Sequence, residues 1–96
     1  MEFDDQLLDK CLKILEDLKK DLVFSKVAIR NLGNLIHDYE CLMTTADEID
    51  IMRYSLKKAT AELDLKKEIE NQTETQIEIM AIEEFVKNHY PDADLV

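Results

Sequence analysis

A repeat of apolar residues between Leu8 and Met43 is the feature that most constrains how this chain can fold. Apolar side chains occupy every seventh position, and a second line follows three residues behind, interrupted only by Ser25. Spacings of three and four residues place side chains on one face of an α-helix and are typical of helices that pack lengthwise on another helix. The two lines are Leu8, Leu15, Leu22, Ile29, Ile36 and Met43, and Cys11, Leu18, Leu32 and Tyr39.

The composition favours long helices. One Gly and one Pro among 96 residues leave almost no material for tight turns, while Leu, Ile, Lys, Glu and Asp dominate. We therefore predict one helical domain over residues 1–90 and a flexible tail over residues 91–96, because Pro91 ends the last helix. A chain of this length hides only about 60–70% of its unfolded surface on folding. Self-association is expected for that reason.

The second half of the chain predicts a second long helix. Thr45-Ala46-Asp47-Glu48 has the Thr-x-x-Glu form of a capping box, which places the start of this helix near Ala46. Apolar residues then recur at spacings of three and four and are predicted to pack on the first helix: Ile49, Met52, Leu56, Ala59 and Leu63. The predicted fold is all-α, an antiparallel hairpin of two long helices.

Each helix has one point where it could break. Gly33 could end the first helix, but Ile36 and Met43 keep the upstream phase, so a continuous helix is favoured. The second helix either continues through 71–73 or breaks there, giving a third helix. Continuity is again favoured, with the buried stripe shifted towards Leu65, Ile69, Gln72 and Gln76.

Two stretches, Leu7 to Leu18 and Ile77 to Tyr90, are apolar on more than one face. An antiparallel hairpin would place them side by side, and two hairpins pairing there would form a four-helix bundle. The other end, near Met43, would need only one covering helix. The residues predicted for the core and for self-association are Leu8, Leu15, Leu18, Leu22, Ile29, Ile36, Ile49, Met52, Leu56, Leu63, Ile79, Ile82 and Val86.

The charge is strongly negative and unevenly distributed. Asp and Glu number 22 against 12 Lys and Arg, a net charge of -10, and residues 1–9 and 68–96 carry all of it. This charge argues against direct binding to nucleic acid or to an anionic membrane, and it suits a protein partner with a basic surface. A candidate acidic docking surface consists of Glu70, Glu74, Glu78, Glu83 and Glu84.

No motif predicts an enzyme, a cofactor or a metal site. His37 and His89 lack the Glu three residues earlier that di-iron bundles carry, and no phosphate-binding loop or zinc spacing occurs. Cys11 and Cys41 would lie about 45 Å apart on one helix, which excludes an intrachain disulfide. We predict no histidine or cationic cluster beside either cysteine, which argues against a redox or catalytic role.

The N-terminus is acidic and no apolar run reaches about 18 residues, so we expect a cytoplasmic protein without a membrane span. The predicted function is a non-enzymatic protein–protein interaction module, a small acidic helical-hairpin adaptor or regulator that acts as a homodimer. One alternative is an acidic inhibitor or decoy that occupies a basic nucleic-acid-binding surface of a partner protein.

Another alternative is a secretion partner or co-chaperone that pairs with a helical protein. Tyr90-x-x-x-Asp94 resembles the export signal that follows helical hairpins in type VII secreted proteins. The Trp-x-Gly of that family at the hairpin tip is missing, because the tip here is Met43-Thr44-Thr45.

Overall fold

The computed structural model describes residues 5–93 as two long α-helices. Helix α1 spans Asp5–Met43 and helix α2 spans Glu48–His89, with residues 44–47 connecting them. Within residues 5–93 there is no strand. The predicted all-α antiparallel hairpin is confirmed.

Helix α1 passes through Gly33 without a break. No glycine among the described residues has a positive φ, so Gly33 does not adopt the left-handed conformation that ends helices. A Cβ atom built on Gly33 would meet nothing within 4 Å. The predicted continuity of the first helix is confirmed, and Gly33 lies on its open surface.

Replacing Gly33 with Ala is expected to stabilise the protein by about 1 kcal/mol, because Gly in a helix interior is that much less favourable than Ala. The added methyl group has free space, so no steric cost opposes the gain. Urea unfolding of Gly33→Ala beside the wild type measures the difference. A loss of stability would show that α1 does not continue through this position.

Helix α2 starts two residues later than the predicted capping box implied. The Asp50 N–H donates to Asp47 Oδ1 at 2.9 Å, which makes Asp47 the N-cap. The predicted Thr45 cap is therefore wrong, since a carboxylate two residues further on accepts from the same helix end and suits its positive dipole. Thr44 Oγ1 instead donates to the Cys41 carbonyl at 2.7 Å, at the end of α1.

Helix α2 also continues through residues 71–73, so no third helix forms. It ends at His89, where the Tyr90 N–H donates to the Val86 carbonyl at 2.7 Å and Pro91 follows. The Ala93 N–H donates to the Tyr90 carbonyl at 2.9 Å, which closes a turn. Residues 94–96 of the predicted tail, which include Asp94 of the Tyr90-x-x-x-Asp94 pattern, lie outside the described residues.

The contacts divide the chain into two compact units. Of the described residues, 5–23 and 73–93 form one, called here the terminal unit, and 24–72 form the other, the loop unit. The terminal unit has a closely packed centre: Leu15 is only 3% exposed, and Ile79 and Val86 are also buried. Half-buried members of the predicted core surround this centre, namely Leu8, Leu18, Leu22 and Ile82.

In the loop unit, α1 presents the face that its repeat predicts. Ile29 and Ile36 are half-buried, and Ser25, the one polar interruption, is buried with its Oγ donating to the Glu68 carbonyl at 3.4 Å. The rings of Tyr39 and Tyr54 lie 6.2 Å apart between centroids. In the loop unit, the face of α2 that contacts α1 therefore includes Tyr54 and Glu68.

The face of α2 that packs on α1 is not the predicted one. Its members, the inner stripe, are Ile51, Tyr54, Lys58, Ala61 and Leu65, all buried or half-buried. The predicted residues Ile49, Met52, Leu56 and Leu63 are 59–66% exposed, so their assignment to the hairpin core is wrong. The inner stripe contacts α1 through the ring of Tyr54, which lies near Tyr39, and through Lys58, which pairs with Glu40.

Candidate interaction surfaces

The exposed apolar face of α2 in the loop unit is the main candidate for an interaction surface. We call it the outer stripe: Ile49, Met52, Leu56, Ala59 and Leu63, all of them exposed. Burying a Leu, Ile or Met side chain completely contributes about 1.5–3 kcal/mol, so covering this stripe would release several kcal/mol. Exposed apolar stripes of this kind are typical of surfaces that bind other molecules.

Charged residues border the outer stripe, acidic on one side and basic on the other. Glu48 and Glu62 lie on one flank, and Arg53 and Lys67 lie on the opposite flank, all of them exposed. On a helix at 3.6 residues per turn, this spacing keeps each pair on its own side of the stripe. The surface therefore has an apolar centre and flanks of opposite sign.

One inner-stripe residue, Lys58, links the two helices through an ion pair with Glu40 and also pairs with Glu62 within α2. Its Nζ lies 3.2 Å from Glu40 Oε1 on α1 and 3.6 Å from Glu62 Oε1. The hydrogen bond and charge of Glu40 raise the pKa of Lys58 above its usual value, with a smaller effect from Glu62. The stability that the Lys58–Glu40 ion pair contributes is fully present at neutral pH. It is lost only as the pH rises through the raised pKa of Lys58 and the side chain loses its charge.

The five glutamates of the predicted acidic docking surface differ in exposure and do not all belong to one unit. Glu74, Glu78 and Glu84 are exposed in the terminal unit, and Glu83 there is half-buried. Glu70, also exposed, belongs to the loop unit. The ion pairs found between residues 5 and 93 do not include these five glutamates. Their charge is thus available to solvent or to a basic partner.

Most of the exposed large apolar side chains in the described part of the chain belong to the loop unit. Besides the outer stripe, they include Phe24 and Leu42, whereas Ile77 and Met80 belong to the terminal unit. The sequence had placed the broad apolar face near Leu8 and expected a single covering helix near Met43. The exposed apolar side chains instead make the loop unit the stronger candidate for contact with a partner.

Among the described residues, each unit has an open depression on its surface. The one in the loop unit has a volume of about 270 Å³ and is lined by Leu35, Tyr39, Lys57, Thr60, Ala61 and Asp64. The one in the terminal unit, about 370 Å³, is lined by Asp5, Leu8, His89, Tyr90, Pro91, Asp92 and Ala93. Among residues 5–93, no group of three His, Cys, Asp or Glu side chains could hold a metal ion.

One contact between polar side chains was not predicted from the sequence. His37 Nε2 lies 3.6 Å from Cys41 Sγ on the exposed surface of α1, so the prediction that no histidine lies beside either cysteine is wrong for Cys41. The four-residue spacing on a helix was the signal that could have revealed it. Both cysteines are free thiols, with Cys11 half-buried.

In the part of the chain that the structure describes, neither helix carries a segment both long and apolar enough to span a lipid bilayer. Comparison of the chain with protein-family models, with curated proteins and with solved structures finds no match.

Proposed function

We propose that this chain is a non-enzymatic protein–protein interaction module, a small acidic helical-hairpin adaptor or regulator that acts as a homodimer. The observation that carries the proposal is the outer stripe, an apolar face of α2 that packing on α1 leaves open. Spacings of three and four residues along this stripe are those that helices use to pair lengthwise. The function proposed is thus binding through a helix face.

A second copy of the chain is the partner that supports this proposal most simply. In a symmetric dimer the same surface is used twice, so each copy covers the stripe of the other. The hairpin is also small, and a chain of about this size gains stability when association adds to a thin core. The acidic exterior of the terminal unit would stay outside that contact and could face a further protein.

Sedimentation equilibrium of the wild-type chain over a range of concentrations tests the homodimer. We expect a mass of twice 11.2 kDa that decreases towards 11.2 kDa on dilution. A single mass of 11.2 kDa at every concentration would contradict the homodimer. It would favour the alternative in which a different helical protein covers the outer stripe, as a secretion partner or co-chaperone would.

The exposed glutamates of the terminal unit favour a second candidate, an acidic decoy for a basic nucleic-acid-binding surface. Glu74 and Glu78 lie four residues apart on α2, where like charges repel and weaken the helix by a few tenths of a kcal/mol. Local stability therefore does not explain their placement. Electrostatic complementarity to a basic protein would.

Displacement of a labelled DNA duplex from a basic DNA-binding domain, followed by fluorescence anisotropy, tests the decoy. Displacement should weaken steeply between about 50 and 200 mM salt, because the contact is ionic. It should also weaken in Glu74→Gln/Glu78→Gln, but not in the control Glu16→Gln, whose carboxylate pairs with Lys20 within α1. Displacement that does not change with salt would exclude the decoy.

A further inference from the structure

We infer that two copies pair in parallel through their outer stripes, with Glu48 facing Arg53 of the second copy and Glu62 facing Lys67 of the second copy. This inference rests on the proposed homodimer and adds the contact surface, the direction and the register. It follows from the geometry of α2 in the loop unit and from the charges that flank the outer stripe.

The geometry of α2 leaves room for a second copy without displacing α1. Every outer-stripe residue lies two positions before an inner-stripe residue, as Leu56 precedes Lys58 and Leu63 precedes Leu65. Two residues on an α-helix correspond to about 200° of rotation, so the stripes lie about 160° apart. Helix α2 can therefore contact α1 on one side and a second α2 on the other. The loop units of the two copies would follow the order α1, α2, α2, α1, unlike the closed four-helix bundle expected from sequence.

The flanking charges match when the paired helices are parallel. In such pairs, a residue just before one stripe position faces the residue five positions further along the other helix. Glu48 then faces Arg53, and Glu62 faces Lys67, each in both directions across the two-fold axis. Between these ion pairs, Ser55 would face Thr60, so no flank position carries an unfavourable charge.

The same charges oppose an antiparallel pair. With Leu56 at the centre of an antiparallel contact, the acidic flank of one helix runs beside the acidic flank of the other. Glu48 would then face Glu62 of the second copy twice. Like charges in such positions repel, so the charges select the parallel direction over the antiparallel one.

The length of the contact is also set by the sequence. After Leu63 the next stripe positions are Lys66 and Glu70, which a parallel pair would place beside their own copies. The paired segment thus ends near Leu63 and extends about 21 Å from Ile49. So short a helix is marginal on its own, but α1 already holds α2 helical, so the pair does not have to form a helix as it binds.

The flanking side chains Glu62 and Arg53 are exposed enough to form the proposed ion pairs. Glu62 is already 3.6 Å from Lys58 through Oε1, yet half of its side chain is exposed, so the second oxygen can accept from Lys67. Arg53 has only a 4.0 Å contact with Asp50 and is 70% exposed. The guanidinium can turn towards Glu48 of the second copy at little cost.

Disulfide trapping in the full chain tests the direction. Ala59→Cys in a background with Cys11→Ser and Cys41→Ser should form a covalent dimer under mild oxidation, since a parallel contact in register places residue 59 beside its own copy. The antiparallel control mixes one chain carrying Met52→Cys with another carrying Ala59→Cys, both in the same background. We expect no disulfide between these two different chains, which their masses distinguish from like pairs.

Two results would overturn the inference, and they separate it from the proposed function. Cross-linking between the Met52→Cys and Ala59→Cys chains, with none for Ala59→Cys alone, would show an antiparallel dimer and leave the homodimer standing. A wild-type chain that sediments as a monomer at every concentration would overturn both. Far-UV circular dichroism checks that each variant remains helical, as expected for substitutions at exposed positions.

Charge reversal gives an independent test of the register. Arg53→Glu/Lys67→Glu places acid beside acid in the parallel pair, and we expect the dimer dissociation constant to rise at least about tenfold at low salt. Adding Glu48→Lys and Glu62→Lys to the same chain exchanges the two flanks and should restore the dimer. An unchanged dissociation constant in Arg53→Glu/Lys67→Glu would contradict the proposed register.

Discussion

Replacing Leu15 with Asp is expected to unfold most of the protein at room temperature. Leu15 is 3% exposed in the terminal unit, and the other buried side chains of that unit, Ile79 and Val86, are apolar and offer a carboxylate no hydrogen bond. Burying a charge without a partner costs several kcal/mol, and the lost Leu contacts add to that cost. Small domains are stable by only about 5–15 kcal/mol, so the loss is a large part of the total. Far-UV circular dichroism and urea unfolding measure it.

The neighbouring residue supplies the matched control. Ile14 is 49% exposed, so Ile14→Asp places the same charge one position away on the solvent side of α1. We expect it to change the free energy of unfolding by about 1 kcal/mol or less. Equal losses in the two variants would mean that the repeat of α1 does not define the buried face.

The second large effect is expected on α2, where two leucines two residues apart should respond differently. Leu65 belongs to the inner stripe and is half-buried, whereas Leu63 belongs to the outer stripe and is 61% exposed. Leu65→Asp should lower the free energy of unfolding of the single chain by about 2 kcal/mol or more. Leu63→Asp should change it by less than about 1 kcal/mol.

This comparison has to be made at protein concentrations where the dimer has dissociated. Association stabilises the folded chain by mass action, so at high concentration Leu63→Asp would also lower the apparent stability. Urea unfolding followed at two concentrations separates these effects. A greater loss for Leu63→Asp than for Leu65→Asp in the dissociated chain would show that the outer stripe, not the inner one, packs on α1.

The helices and the buried face of α1 could be predicted because its apolar repeat keeps one phase along the whole helix. The line from Leu8 to Met43 returns every seven residues without interruption, and Ser25, which interrupts the second line, is buried and donates to the Glu68 carbonyl. Gly33 does not interrupt the helix, because the apolar residues on both sides of it hold the same phase. The spacing of apolar residues was sufficient to predict the buried face of α1, because the residues of the repeat are the ones that pack.

The buried face of α2 could not be predicted in the same way. Its outer stripe is the more apolar of two stripes with identical spacing, so hydropathy alone selects the wrong one. The inner stripe depends on contacts that hydropathy does not score, such as the ring of Tyr54 near Tyr39 and Lys58 beside Glu40. The residues of the candidate surface were thus found from sequence but assigned to the wrong contact.

The start of α2 shows the same limit on a smaller scale. Both Thr45 and Asp47 have the chemistry of an N-cap, and sequence alone favoured Thr45 because Glu48 completes a capping box. The structure places Asp47 at the cap, with the Asp50 N–H 2.9 Å from its carboxylate. Two adjacent capping signals compete, and the geometry of the connecting residues decides between them.

The central claim is that α2 uses one face within the chain and the opposite face between copies. Sedimentation equilibrium of Leu63→Asp beside the wild type, with helix content measured on the same samples, tests it most directly. We predict twice 11.2 kDa for the wild type, 11.2 kDa for the variant, and equal helix content. A variant that keeps the wild-type mass, or one that loses its helices at low concentration, would contradict the claim.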